Sequence, residues 1–283
     1  MLHENTARIT EAKLFAGFNG VSSATLKYWK ESIIKIGDQE TLSTIASIDH
    51  RLQIENAVIF FDHHYAFDAL PIALTLGKKL RHATGALIPY AAHLDMGIDR
   101  NGLPSLRYKL RTLFFQQLTV KVRRANPNIN ILPVVRQFEL ESPKLKEIVD
   151  QKFSGANTKY LKTLTKYFPP KSSGRLCILS PTAGIAYPEK PVLHPQVYRS
   201  MDILHKKADR KLAFYFIGGY PGLRAHYHYL APLLAKHTIV ARGPFYLPIN
   251  NYNQALVTVS SHLNQLRQAV QFTPPNYTQM NQK

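Results

Sequence analysis

The chain has 283 residues, 45% of them hydrophobic, and a single cysteine. That is the length of one large domain or one domain with a small appendage, and the lone Cys177 excludes a disulfide framework and a cysteine-rich metal site. Thirty-six Lys and Arg stand against eighteen Asp and Glu, a formal charge of +18, which calls for an anionic partner.

Residues 1–50 read as a helical lead-in. Glu11 to Phe18 is amphipathic, Ser22 or Ser23 caps a helix from Ala24 to Ile36, and Asp38 caps another through Ile48. An α/β domain is expected over 51–272. It opens with a strand at Ala57–Phe61, a helix at Asp68–Arg81 and a short strand at Ala86–Tyr90. A helix from Leu103 to Leu118, opened by Pro104, runs into a strand-like Leu118–Val122. Ile129–Val135 is β-rich. Ser142 and Pro143 start a helix that reaches Lys152, and a second piece covers Thr158–Phe168. A strand at Arg175–Leu179 breaks at Ser180-Pro181-Thr182-Ala183-Gly184. A helix near Ser200–Ala208 leads to the strand Leu212–Ile217, which meets a glycine-rich turn, Gly218 to Gly222. A helix at Leu223–Ala235, a strand at Thr238–Ala241 and a helix at Asn253–Val270 complete the domain. Residues 273–283 are polar and expected to be a disordered tail. Strands alternating with helices predict a single α/β domain with a central, largely parallel sheet flanked by helices.

The most informative stretch is Val58 to Asp68. An apolar strand breaks into a loop carrying His63 and His64, and an aspartate, Asp68, follows. A histidine oriented by a carboxylate has the parts of a general base: the imidazole takes a proton and the carboxylate steadies the imidazolium. No serine or cysteine lies beside the pair, so the proton comes from a substrate hydroxyl, without a covalent enzyme intermediate. Polar groups at the end of a core strand sit where α/β sheets place their sites. Asp68 also suits a helix N-cap, a role compatible with orienting a histidine.

These residues resemble the glycerolipid acyltransferases of the lysophosphatidic acid type. Asp62-His63-His64-Tyr65-Ala66-Phe67-Asp68 is similar to that family's His-x4-Asp block, with His63 and Asp68 as the pair. Leu118 to Arg124 resembles its second block, a strand ending in arginine. Ser180 to Gly184 stands where its third block falls, keeping Pro181 but having Thr182 and Gly184 in place of the block's Glu and Thr, and no Arg. Phe214 to Gly219 resembles its fourth. The resemblance implies that His63, oriented by Asp68, activates an acceptor hydroxyl. The hydroxyl then attacks the thioester of acyl-CoA or an acyl carrier protein, a co-substrate rather than a cofactor. It also implies substrate contacts at Arg123, Arg124, Pro181, Thr182 and Gly184. With no charge in the third block, an acceptor phosphate falls to Arg123 and Arg124, which suit bidentate binding.

Two other readings compete. His63-His64-x3-Asp68 also fits the pattern of condensation-domain and chloramphenicol-acetyltransferase relatives, in which the second histidine is the base. A degenerate third block also suits a protein that keeps the fold and binds lipid or a partner without turnover. No metal site is expected: His226 and His228 share a helix at i, i+2, whereas a helical metal pair needs i, i+4. No nucleic-acid module accompanies the basic residues, no stretch has the length of a membrane span, and the first thirty residues lack a secretory signal. The expectation is a cytoplasmic protein that docks at an anionic membrane surface.

Overall fold

The computed structural model describes residues 19–27, 34–64, 69–98, 102–104, 106–125, 127–141, 143–168, 173–183, 192–207, 212–221 and 236–274. The sequence-based helices at Glu11–Phe18 and Leu223–Ala235, the pair member Asp68, Gly184 and most of the expected tail lie outside them.

The body is a seven-stranded sheet in the order β1-β7-β6-β2-β5-β3-β4. β2 (Ala57–Asp62) lies near its middle, between β5 (Arg175–Leu179) and β6 (Ala213–Pro221), parallel to both. β3 (Gly85–Ala91) and β4 (Ile129–Val134) extend the parallel part to one edge. β7 (His237–Phe245) runs antiparallel to β6, and β1 (Ile34–Ile36) pairs parallel to β7 at the other edge. All six β2 residues are buried, the pattern of a strand covered on both faces.

The helices divide between the faces. Residues 19–27 form α1. α2 (Gln39–Leu52), α3 (Ala69–Lys79) and α4 (Leu106–Ala125) pack with Ala57, Ile59 and Phe61 on one face. α7 (Ala156–Tyr167), α8 (Pro195–Lys207) and α9 (Tyr252–Ala269) pack with Val58 and Phe60 on the other. Two short helices, α5 (Gln137–Glu141) and α6 (Pro143–Phe153), follow β4, and α6 closes a small cluster with Ala92, Ile98 and Val135. Crossovers that move toward β4 use the first face and those that return use the second, as a uniform crossover hand requires. Phe60 stacks on Phe214 and tilts against Phe216, with ring centroids 5.7 and 5.5 Å apart, tying β2 to β6.

Most elements fall where the periodicity put them, and Asp38 does cap α2, accepting a hydrogen bond from the Thr41 amide at 2.7 Å. Three expectations are corrected. Ile34–Ile36 is not the end of a helix but an edge strand, since β-branched residues there complete the ladder of β7. Gly218 to Pro221 is not a turn: β6 continues through it, with Gly218 paired to Asp62 and to Val240. Gly219 lies against Ile72 and Ile239, where a side chain would be cramped. The strand expected at Leu118–Val122, and with it the strand-end position of Arg123 and Arg124, does not exist. No Gly or Pro interrupts the segment, and Phe114, Leu118 and Val122 repeat every four residues, so α4 runs on to Ala125 with those three in the core.

The helix makes a specific forecast. Leu118→Ala is expected to cost about 2–5 kcal/mol in urea unfolding, whereas Val120→Ala, on the exposed face, should stay within about 0.5 kcal/mol.

Candidate functional site

At the C-terminal end of β2 the chain departs toward α3 on one face, while from the adjacent end of β5 it departs toward α8 on the other. Departures to opposite faces open a crevice between neighbouring strand ends, the place where open α/β sheets bind ligands. Asp62, His63 and His64 occupy one lip. Ser180 to Ala183 occupy the other, because Leu179 is in register with Phe60.

Asp62 is the last β2 residue and is 2% exposed. A carboxylate at the end of a buried strand needs partners, and three side chains supply them. Arg267 on α9 donates from Nε to Oδ2 and from Nη2 to Oδ1, both at 2.8 Å. Tyr220 donates its hydroxyl to Oδ2 at 2.9 Å. His64 Nε2 stands 2.8 Å from the same oxygen. Burial pushes the Asp62 carboxyl up, but the His64 imidazole beside it and the hydrogen bonds and charge of Arg267 outweigh that and hold it well below the usual carboxylate range. A neutral His64 makes the same contact when its proton is on Nε2. Gly218 makes room for the Tyr220 ring: a Cβ there would meet the ring at 2.3 Å.

The two histidines differ sharply. His64 is 1% exposed and lies under Phe272, ring centroids 4.9 Å apart. Phe272 is fixed in turn by its amide, which bonds to the Arg267 carbonyl at 2.8 Å, and by Tyr220, centroids 4.7 Å apart. His63 is half-buried at the crevice, its ring tilted against Phe61 at 5.0 Å.

No protein-family model and no curated protein matches this chain.

The remaining expected site residues are placed as follows. Pro181 and Thr182 are buried in the turn after β5. The Pro181 carbonyl accepts from the His194 amide at 2.7 Å, and the Thr182 hydroxyl pairs with that of Ser180 at 2.8 Å. Ala183, next in this turn, has φ 55°, a left-handed conformation uncommon for a residue with a Cβ and typical of turns held by their surroundings. Arg123 and Arg124 are not at the crevice. They end α4, beside the start of β4, and Arg123 Nη2 donates to the Ile131 carbonyl of that strand. β4 is three strand spacings from β2 in the sheet order, about 14 Å. The sequence reading missed Asp62 as the carboxylate beside His64. Its signal was an ionisable residue closing an otherwise apolar strand. Nothing local marks Arg267 as its partner, 205 residues away.

Truncating one member of a buried ion pair leaves the other charged and unpaired. Asp62→Ala is therefore expected to lower stability by about 3–5 kcal/mol. Because the folded-state pKa of Asp62 is depressed, its contribution is complete above the unfolded value of about 4 and is lost as pH falls toward the folded one. The gap between wild type and Asp62→Ala in denaturant unfolding should be constant from neutral pH down to about 5 and narrow at more acidic pH; a gap independent of pH down to strongly acidic conditions would contradict the pairing.

Proposed function

We propose that this protein transfers an acyl group from the thioester of acyl-CoA or an acyl carrier protein to a hydroxyl of a lipid-type acceptor, with His63 as general base. The observation that carries this reading is the half-buried imidazole of His63 at the switch-point crevice, next to a residue pinned beneath the surface. In the proposed step His63 removes the acceptor hydroxyl proton as the oxygen bonds to the thioester carbonyl carbon. The tetrahedral intermediate collapses, the carbon–sulfur bond breaks, and the leaving thiolate takes the proton from the His63 imidazolium. Asp68, the expected orienter of His63, is five positions along the chain.

His64 and Asp62 have a different part in this reading. Together with Arg267 and Tyr220 they hold the strand end, so that the peptide before His63 has one position. A general base contributes only when its nitrogen meets the proton within hydrogen-bond reach, and a fixed strand end supplies that accuracy. The turn from Ser180 to Ala183 forms the facing wall. Arg123 and Arg124, beside the edge strand β4, have no place in it.

A second reading rests on the 2.8 Å contact of His64 with Asp62, which is a histidine–carboxylate dyad in its own right. In that case His64 is the base and Phe272 must move aside for substrate. Turnover of radiolabelled acyl-CoA with a panel of acceptors separates the readings. His63→Ala is expected to lose roughly 10²–10⁴-fold in turnover with an unchanged melting midpoint, while His64→Ala loses stability first. Full activity in His63→Ala alongside its loss in a folded His64→Ala would transfer the role to His64. No turnover with any donor and acceptor, together with lipid binding, would leave a binding protein.

The excess positive charge supports an anionic surface as the place of action. Among the described residues no helix is long and apolar enough to cross a membrane. Attraction between exposed charges is screened within about 8–10 Å near physiological salt. Co-sedimentation with phosphatidylserine vesicles should therefore fall steeply as salt rises, and neutral vesicles should bring down little protein at any salt. Equal sedimentation with both would remove the membrane from the proposal.

A further inference from the structure

A cavity of about 260 Å³ lies behind the turn after β5, between the ends of β4 and β5 and the helices α7 and α8. Val134, Leu179 and Val197 give it apolar walls, and Arg136 reaches it from the end of β4. The Arg136 Nε is buried and has no hydrogen-bond acceptor among the described residues. Leaving a buried guanidinium N–H unused is costly. Burial pushes the Arg136 pKa down to about 10, against the opposing pull of Glu139. The Glu139 carboxylate is occupied by the Arg136 backbone N–H, from which it accepts a hydrogen bond. Tyr160, in the same wall, is held in its protonated form by burial, and its hydroxyl is hydrogen-bonded to Ser200. The exposed Arg199 stands at the mouth.

Among the described residues the charges that line the cavity are Arg136 and Arg199, both positive, and Glu139, negative, lies beside Arg136. Their balance is one positive charge, which matches a carboxylate monoanion better than a phosphate dianion. A guanidinium edge also presents parallel donors at the spacing of two carboxylate oxygens. Apolar walls with a few convergent polar groups are the usual make-up of a small-molecule site. We propose that this cavity binds a small organic carboxylic acid, its carboxylate on Arg136 and its apolar body against Val134, Leu179 and Val197. The assignment rests on the cavity and its charges and is independent of the acyl-transfer reading.

Calorimetric titration of the full chain with sodium hexanoate, sodium benzoate and inorganic phosphate at constant ionic strength tests it. At least one of the two carboxylates is expected to bind with one-to-one stoichiometry and more tightly than phosphate. Arg136→Gln should weaken that binding roughly ten- to hundredfold, the usual effect of losing a charge-assisted hydrogen bond. Val197→Phe, which fills the cavity while keeping Arg136, should weaken it as well, and decides the matter if Arg136→Gln does not fold. Failure of both carboxylates to bind wild type, binding that a folded Arg136→Gln leaves unchanged, or tighter binding of phosphate would overturn the proposal.

Discussion

The site depends on one buried charge. Asp62 closes the central strand, and at its carboxylate β2, the end of β6 and the last helix meet through Tyr220 and Arg267. A buried carboxylate without such partners would be protonated or would refuse burial. With them it stays ionised, and the cost of its desolvation is offset by a two-pronged arginine contact and by His64. A buried ion pair of this kind is a weak source of net stability compared with apolar packing, but it is specific: it accepts one geometry. Here that geometry settles where the chain goes after β2.

The two adjacent histidines can then be understood as a division of labour. His64 turns inward to Asp62 beneath Phe272, and His63 faces the crevice. Consecutive residues in extended chain point to opposite sides, so fixing one ring inward directs its neighbour outward. The glycine at 218 belongs to the same device. It leaves the space into which the Tyr220 ring folds on its way to Asp62, which gives a steric reason for a small residue in the middle of a buried strand.

The turn after β5 has two sides. Toward β2 it faces the histidines. Away from β2, Ser180 and Ala183 line the cavity that holds Arg136. Its hydroxyl pair and the Pro181 carbonyl's bond from the His194 amide tie it to its surroundings. Part of the basic excess of the chain is held by internal partners. Arg267 is committed to Asp62, Arg123 to the edge strand, and Arg242 to Asp38 and Glu40. Arginine at these positions is structural, so the overall charge overstates how many cations are available to an anionic partner.

The sequence by itself determined what local patterns control. The apolar run that becomes β2, the break that leaves His63 and His64 at its end, the turn after Leu179 and the alternation of helix and strand all follow from hydrophobic period and from turn chemistry within a few residues. The α/β class and the strand-end placement of the histidines were legible for that reason. Only the tertiary structure decided the rest. A carboxylate that meets His64 is Asp62, two residues before it, and Arg267 and Tyr220 arrive from distant parts of the chain to keep Asp62 ionised. Gly218 to Pro221 are strand because β2 and β7 supply ladders on both sides, overriding a local preference for turning. Arg123 and Arg124 sit at the far end of α4 because three core contacts at helical spacing outweigh the β preference of a few residues around them. In the first two cases a long-range partner, invisible to any window along the chain, outweighed the local preference it displaced; in the third, one local pattern outweighed another once the core was there to receive it.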